Sequence, residues 1–337
     1  MVHYENMTRL SLVVSLLFAA GTVNAQVAFD HKDDHIEISI GGDPFSTFYF
    51  GPETTKPYLY PLRAPDGTIV TRGFPMEDIA GEQRDHEHQR SMWFSHGEVN
   101  GFDFWANELT QMPRDKQGII ALDGTADVKV LGKGDKLGNS GRITAAFNWN
   151  APDGTTLLSE DRRMIIRTAT KDRIIDFDLT LTAVADKVHF GDTKEGTFAV
   201  RLATELEEPH MRAKGIARTG KITNAGGKTT EANTWGKQSP WVDYAGSIEG
   251  KPVGIAIFDH PSNPKHPTYW HVRGYGLFAA NIFGEHHFKA DDSRDGSITL
   301  AKGEKLHFRY RMLIHAGSTA SAKVSRKYDR WASPKKK

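Results

Sequence analysis

Ile174-Ile175-Asp176-Phe177-Asp178-Leu179-Thr180-Leu181-Thr182 is the stretch whose pattern decides the fold. Ile175, Phe177, Leu179 and Leu181 fall on one face, and Asp176, Asp178 and Thr180 on the other. That is the period-two alternation of a half-buried strand, not the 3.6-residue period of a helix. The same texture recurs outward from it. His35 to Ile40 alternates polar and apolar, Gly41-Gly42-Asp43-Pro44 reads as a turn, and Phe45 to Phe50 returns with aromatic and β-branched residues. Further strands are expected over residues 119–122, 127–131, 143–149, 164–167, 197–203, 253–258, 297–300 and 305–314. Asp66-Gly67, Asp153-Gly154 and Asn224-Ala225-Gly226-Gly227 supply turns between them. One helix is predicted, over 319–331, where Ala320, Val324 and Tyr328 stand at helical spacing. Many strands joined by Gly, Pro and Asp turns predict an all-β fold, a large antiparallel β-sandwich. No repeat or linker divides the chain, so residues 26–337 are expected to form a single β-sandwich domain.

Residues 1–25 are set apart from that domain. Leu10 to Ala20 is an apolar run shorter than the roughly 20 residues a spanning helix needs. Val23-Asn24-Ala25 then offers the small residues of a cleavage site, so 1–25 reads as a signal peptide. The expected location is periplasmic or secreted, with no membrane association after cleavage. Lys+Arg 43 against Asp+Glu 42 leaves a formal net charge of +1, which gives no global field to attract nucleic acid. Lys335-Lys336-Lys337 reads as a solvated end. With Cys 0, thiol chemistry and disulfides are excluded.

Chemistry-bearing residues concentrate in two segments. The first is Asp85-His86-Glu87-His88-Gln89-Arg90, followed by Trp93-Phe94-Ser95-His96-Gly97 and Asn100-Gly101-Phe102-Asp103-Phe104-Trp105. On an extended chain His86, His88 and Arg90 project to one face, which suits a cavity holding a polar ligand better than a core. The second holds Trp235, Lys237, Trp241 and Asp243, then Asp259, His260, Asn263 and His266 among Pro261, Pro264 and Pro267. It ends with Trp270, His271, Arg273 and Tyr275. Aromatic rings stack on the apolar faces of sugars while Asp, Asn, Arg and His bond the hydroxyls, so the mixture points to a saccharide or other polyol. Trp93, Phe94, Phe102 and Trp105 read as core aromatics, and Asp243 and Asp259 have turn acceptors as their alternative role.

The reading of function that follows is a carbohydrate-active enzyme: a glycoside hydrolase, lyase or epimerase-like protein. His88, His96 and His271 are the candidate general acids or bases, with Asp243 or Asp259 as the carboxylate. His86, Arg90, Trp235, Lys237, Trp241, His260, Asn263, His266, Trp270, Arg273 and Tyr275 are the candidate substrate contacts. No cofactor and no metal is assigned. The alternatives are a non-catalytic carbohydrate-binding protein and a metal-dependent hydrolase or oxygenase built on His86, His88 and His96.

The chain resembles bacterial secreted proteins labelled "PmoA family" or "methane oxygenase PmoA". The resemblance is carried by Lys56-Pro57-Tyr58-Leu59-Tyr60-Pro61, Asp85-His86 with His88, Gly191-Asp192-Thr193-Lys194-Glu195-Gly196, Trp241-Val242-Asp243-Tyr244 and Asp259-His260-Pro261-Ser262-Asn263. Gln89 stands where those proteins commonly have a further histidine. The label's activity is rejected: the methane monooxygenase subunit is a bundle of membrane-spanning helices, and nothing beyond the leader here is of that kind. Ser95-His96-Gly97 running to Trp105 is similar to a stretch of the aldose-1-epimerases. That resemblance implies a galactose-mutarotase-like supersandwich and His96 as a general acid.

Overall fold

The structure, a computed structural model, describes residues 26–108, 110–131, 139–169, 171–211 and 215–333. The leader read in residues 1–25 and the basic end at 335–337 lie outside the described residues. The strands, in chain order, begin with β1 (Val27–His31), β2 (His35–Ile40), β3 (Asp43–Tyr49), β4 (Tyr58–Tyr60), β5 (Met92–His96) and β6 (Ile119–Leu131). Next come β7 (Ser140–Asn150), β8 (Thr156–Ala169), β9 (Asp172–Ala183), β10 (Lys187–Phe190), β11 (Gly196–Arg201) and β12 (Lys221–Asn224). The last are β13 (Trp241–Ile248), β14 (Lys251–Asp259), β15 (Tyr269–Val272), β16 (Leu277–Asn281), β17 (Ile298–Ala301) and β18 (Lys305–Ala316). Helices are short: α1 (Glu231–Thr234), α2 (Glu285–Lys289) and α3 (Val324–Ala332). None is long and apolar enough to cross a membrane.

Two eight-stranded antiparallel sheets result, as the strand patterning predicts. The first runs β1-β2-β3-β4-β5-β11-β16-β15, and the second β12-β13-β14-β18-β9-β8-β7-β6. β9 lies between β18 and β8. Its Ile175, Phe177, Leu179 and Leu181 are buried, while Asp176 on the other face pairs with Arg167 at 2.7 Å and Arg311 at 2.5 Å. The inner faces meet in a continuous core. Phe198 of β11 stacks on Tyr310 of β18 at 4.8 Å, and Phe94 of β5 on Phe177 of β9 at 6.1 Å. The expected strands at 119–122 and 127–131 are one strand, β6, interrupted by an irregularity between Asp123 and Asp127 around Gly124. The expected helix is shorter than its pattern: 319–323 is turn, and Lys323 is left-handed immediately before α3.

A polar knot sits inside this core. Trp149 Nε1 donates to Glu160 Oε2 at 2.9 Å, and Arg162 Nε to Glu160 Oε1 at 2.6 Å. The Arg162 guanidinium lies 4.9 Å from the Phe147 ring and 5.1 Å from that of Phe177. Removing one partner strands the other charge in an apolar layer. Glu160→Ala is therefore expected to cost about 3–5 kcal/mol by urea unfolding, and replacing both charges with apolar residues to recover most of it.

The first sheet's outer face prepares the site. Register sets Tyr49 opposite Tyr58, Tyr58 opposite Trp93, Trp93 opposite Ala199, Ala199 opposite Ala279, and Ala279 opposite His271. A row of aromatics thus steps down to two alanines and ends on an imidazole. The neighbouring row sets Arg201 opposite Leu277.

Candidate functional site

The segment Asp85 to Arg90 is a turn, not the extended run that would alternate its side chains. His86 has φ 47°, and Gln89 N bonds back to His86 O. The turn is anchored by Arg72, which donates to Phe74 O, Gln83 O, His86 O and Asp85 Oδ1. Arg201 rises from β11 to the same place and donates to Asp85 at 3.2 Å and to Gln89 Oε1 at 2.5 Å. Gln89 is thus a buried acceptor for an arginine. Burial alone would raise the pKa of Asp85, but the His86 hydrogen bond and the Arg201 and Arg72 charges hold it well below the usual carboxylate range.

Tyr275 joins this turn to the other end of the sheet. His86 stacks on it at 5.7 Å, with the Arg201 and Arg273 guanidinium carbons 4.7 and 5.5 Å from its ring. Arg273 is itself held by Glu231 at 2.7 Å. Trp235 meets His271 edge-on at 6.5 Å and Phe288 of α2 at 5.6 Å. On the other flank Trp93 and Trp105 pack at 4.9 Å, and Arg90 pairs with Glu108 at 2.9 Å over the Tyr58 ring. Lys56 is fully buried beside them, donating to Trp105 O at 2.9 Å and Asn107 Oδ1 at 2.6 Å. Burial pushes its ammonium down to about 7.

The structure therefore brings together His86, His88, Arg90, Trp235, His271, Arg273 and Tyr275 on one side of the first sheet. His88 Nδ1, Trp235 Nε1 and His271 Nε2 from this set, and Trp93 Nε1, Ser95 Oγ and Trp105 Nε1 beside it, are buried with no hydrogen-bond partner among the described residues. Buried polar groups are nearly always paired. Other buried atoms of the fold, Ser140 Oγ and Tyr310 Oη among them, share this state, and these six are set apart by the indole and imidazole groups among them. His271 Nδ1 faces the Lys194 carbonyl at 2.8 Å. A carbonyl only accepts, so the hydrogen is on Nδ1 and Nε2 presents a lone pair. Burial lowers the His271 pKa to about 4, against a smaller upward pull from the Glu195 carboxylate. His88 is lowered to about 2 by burial, with Lys56, His86, Arg72 and Arg201 adding repulsion. Both rings are neutral at pH 7.

Other expected site residues lie elsewhere. His96 is on the opposite face of β5 from Trp93 and Ser95, packed 4.4 Å from Phe283 and 5.8 Å from Phe190. Its Nε2 donates to Gly191 O at 2.9 Å, and a Cβ at Gly196 would lie 2.8 Å from its Nδ1. The structure places this ring between Phe190 and Phe283 on the inner face of the first sheet, apart from the residues gathered on its outer face. His86, His88 and His96 do not converge on a metal either. The ligating group found among the described residues is Asp192, His286 and His287.

Asp259 fastens a loop through its carboxylate. It accepts from Asn263 Nδ2 at 2.7 Å, His266 Nδ1 at 2.7 Å and Thr268 N at 2.9 Å, and so fixes the proline-rich loop after β14. Asn263, His266 and Asp259 are consumed by that task, and His260 packs on Trp331 at 4.9 Å. Asp259→Ala is expected to lower stability by about 3 kcal/mol, read by thermal unfolding, because it orphans buried donors. Trp270 faces the core, with its indole donating to Ser239 O at 2.8 Å, and Lys237 is exposed. Trp241 sits on the second sheet's outer face with α3, lining a cavity of about 880 Å³. Among its described lining residues that cavity has no histidine and one carboxylate, Asp329.

Asp243 is buried on the second sheet, 3.0 Å from His315 Nε2. Burial pushes the His315 pKa down, but the Asp243 charge and hydrogen bond outweigh it, and the net direction is up. A raised imidazole stabilises the fold below its unfolded pKa of about 6.5 and loses that contribution as pH rises through the folded value. Asp243→Asn is expected to lower the Tm more at pH 6 than at pH 9.

Lys56, Glu195 and Arg201 belong to the site and escape a reading by residue clusters. Lys56 and Glu195 lie in the motifs Lys56 to Pro61 and Gly191 to Gly196, which were the signal available. The match to a family model covers residues 35–329. The chain belongs to the DUF6807 family. Its description is a family of unknown function, and it carries no activity label. No curated protein matches this member of DUF6807.

Solved structures similar to the chain include the galactosidase domain of the α-galactosidase–sucrose kinase AgaSK. It is 9% identical over 88% of this chain and 41% of that one, with a TM-score of 0.37. The GH36 α-galactosidase AgaB from Geobacillus stearothermophilus is 7% identical over 88% and 42%, at 0.39. A protein assigned as an aldose 1-epimerase from Escherichia coli K12 is 9% identical over 86% and 98%, at 0.32. This DUF6807 chain spans about two fifths of each galactosidase chain. At these scores the site must be read from its own residues.

Proposed function

We propose that this protein is a carbohydrate-active enzyme of the periplasm or cell exterior, with its sugar site on the first sheet's outer face between His86 and His271. One observation carries the reading: unpaired buried hydrogen-bonding atoms gathered above an aromatic floor. A saccharide supplies what such a surface lacks. Its C–H faces lie on Trp235 and Tyr275, and its hydroxyls pair with indole N–H groups and imidazole lone pairs. His271 Nε2, neutral and held in one tautomer by Lys194 O, is the proton acceptor. The Arg201 and Arg273 guanidiniums stabilise negative charge that develops on the substrate. The leader read in the sequence supports the location.

The test is a saccharide screen of the purified protein with products read by mass. Substrate mass plus water establishes hydrolysis, cleavage without added water establishes elimination, and an unchanged mass with a new anomer or epimer establishes isomerisation. Trp235→Ala is expected to weaken saccharide binding by about tenfold or more while the protein stays folded. Binding without turnover would leave a lectin-like role, and neither binding nor turnover would overturn the sugar reading.

A further inference from the structure

A second group of ligating side chains lies beside the site and takes no part in the reading above. Asp192 stands in the loop before β11, and His286 and His287 are consecutive on α2. One ligand atom from each lies within 4.8 Å of the other two. Asp192 Oδ2 accepts His286 N at 3.1 Å and Gly296 N at 2.5 Å, which fixes the carboxylate. Its Oδ1 is left facing His286 Nδ1 at 2.7 Å. The two imidazoles sit with centroids 3.8 Å apart, and His287 Nδ1 is buried with no hydrogen-bond partner among the described residues. Consecutive residues of a helix normally diverge by about 100°. These two converge on the carboxylate instead.

We propose that Asp192, His286 and His287 form a binding site for a divalent transition ion, with zinc as its first occupant. Two imidazoles and one carboxylate are a borderline donor set, suited to Zn²⁺ and poorly matched to the all-oxygen shells of Ca²⁺ or Mg²⁺. Tetrahedral bonds of about 2.0–2.2 Å set ligand atoms about 3.3–3.6 Å apart, so the three side chains close the site by moving on the order of an ångström. Three protein ligands leave a fourth position for water or for the nearby carboxylate of Glu195, which is paired with Lys194 at 2.9 Å.

The ion's place in the fold gives it a structural consequence. It joins α2 to the loop 191–195. α2 presents Phe288 to Trp235, His271 and Tyr269, and the loop presents the Lys194 carbonyl that holds the His271 tautomer. Metal binding at this point ties together two pieces of the sugar site's rim, yet it stands whether or not that site binds sugar.

The experiment titrates the purified, untagged protein with ZnCl₂ in a calorimeter and, separately, with Co²⁺ read by its visible absorption. One equivalent is expected to bind, with a Co²⁺ spectrum of low coordination number and a rise in Tm. His287→Ala and His286→Ala are each expected to lower affinity by about tenfold or more and to abolish the Tm rise, with circular dichroism unchanged. His307→Ala, on β18 of the second sheet where His307 pairs with Asp178 at 3.0 Å, leaves affinity as in the parent. Absence of binding, or equal affinity in the parent and His287→Ala, would overturn the proposal.

Discussion

His271→Ala is expected to lower turnover by about 10²- to 10⁴-fold, the loss typical of removing a positioned proton acceptor. The KM should change far less, because the aromatic platforms and guanidiniums remain. Folding should survive: His271 makes one protein hydrogen bond through Nδ1, and its Nε2 has no protein partner to lose. The pH profile carries a further signature. With a pKa near 4, the lone pair on Nε2 is available across the neutral range and is lost only as pH falls through that value. The wild-type rate should therefore be level on its acid side down to about pH 5 and then drop. A profile that instead breaks near the ordinary imidazole value of about 6.5 would mean that His271 titrates in water. Full turnover in His271→Ala would move the base to another group, with Glu195, whose carboxylate acts on the His271 charge, the next candidate.

The fold was legible where a strand has one wet face. In β9, Asp176 and Asp178 alternate with Phe177 and Leu179, so its place in a sandwich could be read directly. β5 and β15 have no such alternation, because Met92 to His96 and Tyr269 to Val272 are buried on both faces. Composition there records burial but not which side each residue faces. That parity decided the site. Trp270 and His271 are neighbours in both segment and residue type, yet one enters the core and the other the outer face. Likewise Ser95 stays with Trp93 while His96 turns inward between Phe190 and Phe283.

The proline-rich loop shows a different limit. Asp259, Asn263 and His266 have the chemistry of a sugar site, but the same groups serve equally well to satisfy one another around a rigid loop. The sequence also gave no hint that Lys56 is buried, since its partners Trp105 O and Asn107 Oδ1 lie about fifty residues away. Clustering in sequence found the rim residues because they come from two contiguous turns. Glu195 and Arg201 come from a third segment, brought to the others by the pairing of β11 with β5 and β16.

Acid should unfold this protein early, and buried neutral histidines are the reason. His96 and His271 are lowered to about 4 and His88 to about 2, each chiefly by burial. In the unfolded chain each returns to about 6.5. Between those values the unfolded state binds a proton that the folded state refuses, so stability falls as pH falls. From pH 7.5 to pH 5 each such histidine removes about 2 kcal/mol, on the order of 6 kcal/mol for the three, which is comparable to the whole stability of many domains. His315 works in the other direction through Asp243, but one raised imidazole does not offset three depressed ones. His96→Phe separates this cause from general acid sensitivity. A phenyl ring fits between Phe190 and Phe283 and cannot take a proton, although the bond to Gly191 O is lost. The variant should start lower at pH 7.5, yet lose about 2 kcal/mol less than the parent by pH 5, as measured by urea unfolding at the two pH values. If parent and variant lose the same amount, His96 is not held neutral by its surroundings, and the interior placement that sets it apart from the proposed sugar site is wrong.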